Sequence, residues 1–130
     1  TADAVFKTRE KIANFFGSQE PEKVVFTLNC THSINCVLKG VLRRGDHLII
    51  SNLEHNAVMR PLKKLKVNFS VAEVSKSKSE TLANFERLIK PNTRLIFFSF
   101  FSNVTGQILP LKELGDLCKN KGILFGVDAA

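Results

Sequence analysis

Residues 94–100, Arg-Leu-Ile-Phe-Phe-Ser-Phe, constrain the fold most, because apolar side chains fall on both faces of this segment when it is extended. A strand buried on both faces is typical of a parallel sheet whose two sides are covered by helices. Further strand-like segments lie at 24–27, 47–51, 67–74 and 123–127. Segments of helical periodicity separate these strands, which predicts right-handed βαβ units.

The clearest helix carries a stripe of apolar residues at helical spacing before Gly45, namely Ile34, Val37, Leu38, Val41 and Leu42. Other helices are predicted at 3–16, 56–65, 82–89 and 110–121. Pro61 fits the helix at 56–65 only if it lies in the first turn, since further along it removes a hydrogen bond. We therefore predict one α/β domain over residues 1–130, with a mostly parallel sheet and helices on both faces.

The net charge of +7 bears on the choice of partner, since it favours anionic ones. The lysines cluster in two places, Lys63, Lys64 and Lys66, and then Lys76 and Lys78. The chain has no Trp or Tyr to interleave with them and no nucleic-acid recognition motif. We interpret the lysine clusters as a solvated basic face and expect no nucleic-acid partner. A nucleic-acid-binding domain is the less favoured alternative.

The apolar runs and the cysteines bear on location. The longest apolar runs are strand-length and too short to cross a bilayer, so no membrane partner is expected. Three cysteines, an odd number, do not suggest a disulfide framework, which favours a reducing cytoplasm. Cys36 and Cys118 are expected to be small packing residues, whereas Cys30, at a helix start, either packs or has a lowered pKa. The histidines and cysteines do not reproduce zinc-ligand spacing, so no metal site is predicted.

Four polar clusters follow predicted strands, and the carboxyl ends of parallel strands meet at one edge of a sheet. They are Asn-Cys-Thr-His-Ser at 29–33, Glu-His-Asn at 54–56, Ser-Asn-Val-Thr-Gly at 102–106, and Asp128. The helix start at 29–33 offers N–H groups and hydroxyls to an anion, but N-capping by Asn29 or Thr31 is the favoured local explanation. We expect all four clusters to lie near one another.

The other three clusters leave alternatives open. His55 is suited to stacking on a planar ligand or to moving protons, or it serves only as a loop residue that caps the next helix. Turn chemistry alone explains Asn and Gly at 102–106. Asp128, delivered by an apolar strand, is costly to bury unless it pairs with a cation or a protonated donor. Because the chain stops on this strand, we expect it to be part of a larger enzyme.

The order of these clusters resembles the class V aminotransferase and cysteine desulfurase family, pyridoxal 5'-phosphate (PLP) enzymes of the aspartate-aminotransferase-like fold type I. The resemblance covers the whole chain through Phe-Thr-Leu-Asn-Cys-Thr-His-Ser-Ile-Asn at 26–35, Gly-Asp-His at 45–47, Glu-His-Asn-Ala at 54–57, Ser-Asn-Val-Thr-Gly at 102–106 and Val-Asp-Ala-Ala at 127–130. The chain departs from many relatives at Asn29, Cys30 and His32, where they carry a small or glycine-containing turn and, after the threonine, an acidic residue.

The resemblance implies that Thr31 and His32, with their backbone N–H groups, hold the cofactor phosphate. It also implies that Asp128 pairs with the protonated ring nitrogen. A carboxylate there keeps the ring protonated, so that it can accept electrons from the substrate.

The resemblance assigns the remaining contacts as well. His55, the candidate catalytic residue, would stack on one face of the pyridine ring, and Ala130 would pack against the other. Asn103 would hydrogen-bond near the ring oxygen or the substrate carboxylate.

By the same resemblance, residues 1–130 would be the N-terminal part of the large, PLP-binding domain, ending before the Schiff-base lysine and the small domain. The parent enzyme would act on an amino acid, cysteine being one candidate, and would be a homodimer. Amino transfer, sulfur abstraction from cysteine and selenocysteine cleavage remain open. The chain alone is expected to be inactive and to bind PLP weakly.

The family topology implies the sheet order third, second, fourth, fifth strand, which leaves residues 24–27 without their normal neighbour. We expect that strand to pair along the free edge of 123–127 or with another copy of the chain. Exposed Phe97, Phe100 and Phe125 would favour self-association. The main alternative to an enzyme is a non-catalytic α/β module that binds a phosphorylated ligand at Thr31 and His32.

Overall fold

The computed structural model describes residues 1–54, 56–101 and 109–130. The helices of this described part are α1 (Ala2–Phe15), α2 (Cys30–Val41), α3 (Asn56–Leu65), α4 (Lys78–Arg87) and α5 (Leu111–Lys121), with a short 3₁₀ turn at Pro21–Lys23. Its strands are β1 (His47–Ser51), β2 (Asn68–Ala72), β3 (Thr93–Ser99) and β4 (Leu124–Asp128). None of the helices described is both long and apolar enough to cross a membrane.

The strands form one sheet in the order β2-β1-β3-β4, and every neighbouring pair is parallel. This confirms the predicted α/β fold and the predicted order, in which the third, second, fourth and fifth strand-like segments lie side by side. Strand β3 is central, as its apolar composition indicated. The carboxyl ends of β1, β3 and β4 therefore open onto the same edge.

Two apolar clusters cover the two faces of the sheet, and β3 contributes alternate side chains to each. Leu95 and Phe97 face the cluster under α2 and α3, whereas Ile96 and Phe98 face the cluster under α4 and α5. All four are at least 97% buried, and burial of each such side chain contributes about 1.5–3 kcal/mol. Phe97 is thus a core residue, and the expectation that it is exposed at a free edge was wrong.

Residues 24–27 belong to no strand, contrary to the sequence prediction. Val24 N–H instead donates to the carbonyl of Pro21, 3.1 Å away, and Val25 is 73% exposed. A strand needs a neighbour to pair its backbone groups, and the edge of β4 is not used for this purpose in the described part of the chain. The expected pairing along β4 was therefore wrong for a single chain, and pairing with a second copy stays a prediction.

Helix α3 carries Pro61 beyond its first turn, where the sequence argument did not expect it. The predicted bounds of the helix were correct, so the proline is accommodated within it. Pro61 is buried with Val58 and Leu62 on the face that packs against the sheet. Burial of this apolar face outweighs the helix hydrogen bond that a proline removes.

Candidate functional site

A cavity of about 410 Å³ lies at the carboxyl edge of the sheet, a size usual for small-molecule sites. It is bounded by the start of α2, the segment joining β1 to α3, and the ends of β3 and β4. Its lining residues are Cys30, Thr31, Ile34, Leu53, Glu54, Asn56, Ala57, Ser99, Phe101, Asp128 and Ala130. Three of the four predicted polar clusters thus contribute to one cavity. The fourth, at 102–106, lies outside the described residues.

The start of α2 is capped by Asn29, whose side-chain oxygen accepts a hydrogen bond from His32 N–H at 2.9 Å. Asn29 was one of two predicted caps, and this capping satisfies one of the helix's first N–H groups. Among the described residues, the N–H groups of Cys30 and Thr31 donate to no other group. The helix start therefore retains two donors beside the cavity, where the helix dipole also favours an anion.

The structure separates the two residues predicted to hold a phosphate. Thr31 lines the cavity, but His32 does not. The backbone N–H of His32 is already bonded to Asn29, and its exposed ring accepts a hydrogen bond from Leu28 N–H at 3.4 Å. Cys30 N–H, which the sequence argument did not single out, is the available donor next to Thr31.

A groove between α2 and α3 adds positive charge on the same side as Thr31. This groove, of about 480 Å³, shares Thr31, Asn56 and Ala57 with the cavity. It is also lined by Lys39, Arg60 and Lys64. Lys39 and Lys64 lie about two helical turns beyond Thr31 and Asn56, so Arg60, one turn into α3, is the cation nearest to the part of the groove shared with the cavity.

Asp128 marks the other end of the cavity, at the last residue of β4. Its Oδ1 accepts hydrogen bonds from Cys30 Sγ at 3.3 Å and from Ala130 N–H at 3.1 Å. The one ion pair within the described residues joins Lys23 to Glu20, so Asp128 faces the cavity without a cationic partner there. A half-buried carboxylate in this state is suited to bind a protonated ligand.

The cysteines depart from expectation at two positions. Partial burial, followed by the hydrogen bond to Asp128 and the charge of that carboxylate, raises the pKa of the Cys30 thiol. Of the two alternatives for Cys30, a lowered pKa was wrong, because a negative charge beside a thiol opposes thiolate formation, and a packing role does not fit an exposed side chain. Cys36 is exposed and does not pack as predicted, whereas Cys118 is buried as predicted.

Glu54 is a member of the site that sequence reasoning missed, since it was noted only as the neighbour of His55. Its Oε1 accepts hydrogen bonds from Ser51 Oγ at 2.5 Å and from Ser99 N–H at 3.0 Å. Its Oε2 accepts one from Ser99 Oγ at 3.0 Å. Burial raises the pKa of this carboxyl, and the bonds from Ser51 and Ser99 oppose the rise. Ser51 and Ser99 are the last residues of two buried strands, and two hydroxyls at this edge were the sequence signal for a nearby acceptor such as Glu54.

The predictions for His55 and Asn103 concern positions outside the described residues, and they stay predictions. In the described ranges, no group of three or more His, Cys, Asp or Glu side chains is arranged to hold a metal ion.

The sequence model of the class V aminotransferase family matches residues 1–130. The chain belongs to this family. It is 33% identical to a cysteine desulfurase IscS of Dechloromonas aromatica, a match covering 98% of the chain and 33% of that protein. It is 34% identical to a mitosomal cysteine desulfurase of Encephalitozoon cuniculi, over 98% of the chain and 31% of the relative. The chain thus spans about a third of the length of these class V relatives.

Solved structures support the same assignment. DndA from Streptomyces lividans superposes with a TM-score of 0.86 at 26% identity, covering 99% of this chain and 38% of DndA. SspA in complex with cysteine superposes with a TM-score of 0.85 at 31% identity, covering 99% of this chain and 39% of SspA. The four-stranded sheet is therefore the corresponding part of a larger class V fold.

The cavity fits the cofactor of the class V family at both ends. A phosphate group matches the free N–H groups of Cys30 and Thr31, and Arg60 lines the adjoining groove. A protonated ring nitrogen matches the carboxylate of Asp128, whose hydrogen-bond donors within the described ranges, Cys30 Sγ and Ala130 N–H, are neutral. The donor set therefore suits PLP, an anion and a cationic ring joined in one molecule.

Proposed function

We propose that this chain is the N-terminal part of the PLP-binding domain of a cysteine desulfurase-type class V enzyme. The observation that carries the proposal is the cavity with the carboxylate of Asp128 at one end and the open N–H groups of Cys30 and Thr31 at the other. Bound PLP withdraws electrons from the α-carbon of an amino acid. The parent acts on an amino-acid substrate, with cysteine first among the candidates because the relatives are named cysteine desulfurases.

In this proposal each residue of the chain has a limited task. Cys30 and Thr31 bind the phosphate through backbone N–H groups, and the Thr31 hydroxyl adds a further donor. Asp128 holds the proton on the ring nitrogen, and Ala130 packs against one face of the ring. His55 stacks on the other face, and Asn103 bonds near the ring oxygen or the substrate carboxylate, as the family resemblance implies.

The proposal extends to the surroundings of the parent enzyme. It works as a homodimer, with neither a nucleic acid nor a membrane as partner. The three free cysteines support a reducing compartment such as the cytoplasm. Residues 1–130 alone are inactive, since the catalytic lysine of the class V family is proposed to lie beyond Ala130.

The first test uses the product of the complete reading frame that encodes this chain. The protein is saturated with PLP, reduced with borohydride and mapped by peptide mass. The expected result is a phosphopyridoxyl group on a lysine after Ala130. If no lysine carries the group, the second candidate takes its place, a non-catalytic module that binds a phosphorylated ligand at the start of α2. The free N–H groups of Cys30 and Thr31 favour that candidate.

A matched pair of variants tests the role of Asp128. Asp128→Asn removes the charge that faces the cavity, whereas Asp116→Asn removes one from an exposed position on α5. A charge-assisted hydrogen bond contributes about 1.5–3 kcal/mol, so D128N should weaken PLP binding by about 10- to 100-fold. D116N should leave the dissociation constant unchanged. Equal effects of the two would contradict the assignment of Asp128.

A product assay separates the possible reactions. The mixture contains cysteine, a thiol reductant and 2-oxoglutarate as an acceptor for an amino group. A desulfurase releases alanine and sulfide, whereas an aminotransferase passes the amino group of cysteine to the acceptor and leaves the keto acid of cysteine. We expect alanine and sulfide in equal amounts. A keto acid without sulfide would assign the chain to the aminotransferase branch of the family.

A further inference from the structure

Glu54 joins two strands that end at the cavity. The register of β1 with β3 ends at Ile50 beside Phe97, and Ser51, the last residue of β1, pairs with Ala72 of β2. Ser99 N–H lies two residues further along β3, and the carboxylate of Glu54 accepts its hydrogen bond. The side chain of Glu54 thus takes the place of the backbone carbonyl of β1 that would accept this hydrogen bond if the β1–β3 ladder were longer.

The same carboxylate is attached to β1 itself. Ser51, the last residue of β1, donates its hydroxyl to Glu54 Oε1, and Ser51 Oγ accepts a hydrogen bond from Leu53 N–H at 3.2 Å. Both oxygens of Glu54 are therefore engaged, one by both strands and the other by Ser99 Oγ. Three donors from two strands hold this side chain in one orientation.

The partners of Glu54 lie next to residues with proposed cofactor contacts. Ser99 is the register partner of Asp128 across the β3–β4 ladder, and both line the cavity. On the other wall, Glu54 directly precedes His55 in the chain, and Asn56 and Ala57, which follow, line the cavity. One side chain thus lies between the wall that carries Asp128 and the wall that leads to His55.

We propose that Glu54 is a positioning residue that holds these two cavity walls at a fixed separation. The effect expected on PLP binding rests on the proposed function, whereas the contact between the walls does not. It touches neither the ring nor the phosphate in this assignment. It acts through Ser99 on the rim that carries Asp128, and through the chain on the segment that begins α3. A carboxylate is suited to this task because it only accepts hydrogen bonds, and the groups that contact it in the described part of the chain, Ser51 Oγ, Ser99 N–H and Ser99 Oγ, all donate.

The test compares Glu54 with Glu73, an exposed glutamate that follows the neighbouring strand β2 and does not line the cavity. Glu54→Ala, Glu54→Gln and Glu73→Ala are made in the product of the complete reading frame. E54Q keeps the size of the side chain and can accept two of the three hydrogen bonds, so it remains informative if E54A fails to fold. The readouts are the exchange rate of the Ser99 amide without PLP, and the dissociation constant and induced circular dichroism of added PLP.

We expect E54A to speed exchange of the Ser99 amide by about fivefold or more, since a half-buried N–H loses its acceptor. PLP should then bind about tenfold more weakly, with a reduced dichroic signal that reports a less fixed ring. E54Q should give intermediate values, and E73A should match the unsubstituted protein. A double variant Glu54→Ala/Ser99→Ala should be no worse than E54A, because both changes break the same contact.

Two results would overturn the proposal. In one, E54A lowers the melting temperature while PLP affinity and dichroism stay as they are, which reduces Glu54 to a structural residue. In the other, the Ser99 amide exchanges at the same rate in E54A and E73A. If the unsubstituted protein fails to bind PLP at all, the proposed function fails, and the exchange of Ser99 still decides whether Glu54 holds the walls together.

Discussion

Cys30 Sγ and Asp128 Oδ1 lie 3.3 Å apart, which joins the first residue of α2 to the last residue of β4 across 98 positions of sequence. Both residues line the cavity, so the contact forms part of its wall. It also couples the protonation of the thiol to the charge of the carboxylate, because the hydrogen bond and the charge both raise the pKa of Cys30.

Removing the charge of Asp128 should lower the pKa of Cys30. In a background with Cys36→Ser and Cys118→Ser, the remaining thiol is titrated by its rate of alkylation across a pH series. Asp128→Asn removes the negative charge, so the midpoint of alkylation should move to lower pH, although burial still raises it. Asp116→Asn is the control. A midpoint that does not move would mean that the thiol and the carboxylate are apart in solution.

Stability should fall as the pH is lowered through the range in which histidine titrates. His47 is fully buried in β1, where its ring contacts Thr93 Oγ1 at 2.8 Å and Ser70 Oγ at 2.9 Å. Burial, and then the charge of Lys90, lower the pKa of His47. Below an ordinary histidine pKa of about 6.5, the unfolded chain therefore binds a proton that the folded chain does not.

Urea unfolding at several pH values measures this effect. The free energy of unfolding should be largest above the unfolded pKa and should decrease as the pH falls below it. His47→Gln should reduce the slope, because it removes the buried ring whose pKa is lowered in the folded chain. A slope of equal size in H47Q would assign the dependence to other groups.

Adding a methyl group should have opposite effects at two glycines. A Cβ at Gly126 in β4 would lie 2.5 Å from a ring atom of Phe97, which is buried and cannot easily move. Gly126→Ala should therefore destabilise the protein by about 1–3 kcal/mol. At Gly40, within α2, a Cβ would meet nothing within 4 Å, and Gly40→Ala should stabilise by about 0.5–1 kcal/mol. Urea midpoints of the two variants that shift in the same direction would contradict this account.

Phe98 should be the most costly phenylalanine of the sheet to truncate. It is fully buried, and its ring lies 6.1 Å from that of Phe85 and 5.4 Å from that of Phe125, between centroids. Phe98→Ala should cost about 3–5 kcal/mol of unfolding free energy, including the cavity it leaves. Phe69→Ala on β2, where the ring is 37% exposed, is the control and should cost far less. Comparable losses would place Phe98 outside the core.

The chain should self-associate through a different surface from the one predicted. Phe97 is buried, but large apolar side chains near the N-terminus are 73–88% exposed, namely Phe15, Phe16, Val25 and Leu28. Exposed apolar area of this kind favours association. Sedimentation of the 130-residue chain should show dimers or larger species that decrease in Phe15→Ser/Phe16→Ser. A monomer at high concentration would contradict the prediction.

The sheet could be predicted from sequence because each of its strands is a short apolar run between turn signals. His47–Ser51 was predicted to the residue, and the other three strands within two residues at either end. Residues 24–27 were misassigned because β-branched composition does not supply the neighbour that a strand needs. The contacts of Glu54 with Ser99 were missed because they join positions 45 residues apart, which local patterns do not encode. The pairing of Cys30 with Asp128 was missed for the same reason.

The cap that Asn29 places on α2 has a consequence for the kinetics of ligand binding. Because His32 N–H is already bonded and Thr27 Oγ1 lies 2.5 Å from Ser33 Oγ, the first turn of the helix is ordered before any anion arrives. An incoming phosphate would meet donors that need no rearrangement, so little ordering entropy would be lost on binding. Association at this end of the cavity should then approach the rate of a simple collision, and differences in affinity among phosphorylated ligands should lie in how slowly they leave.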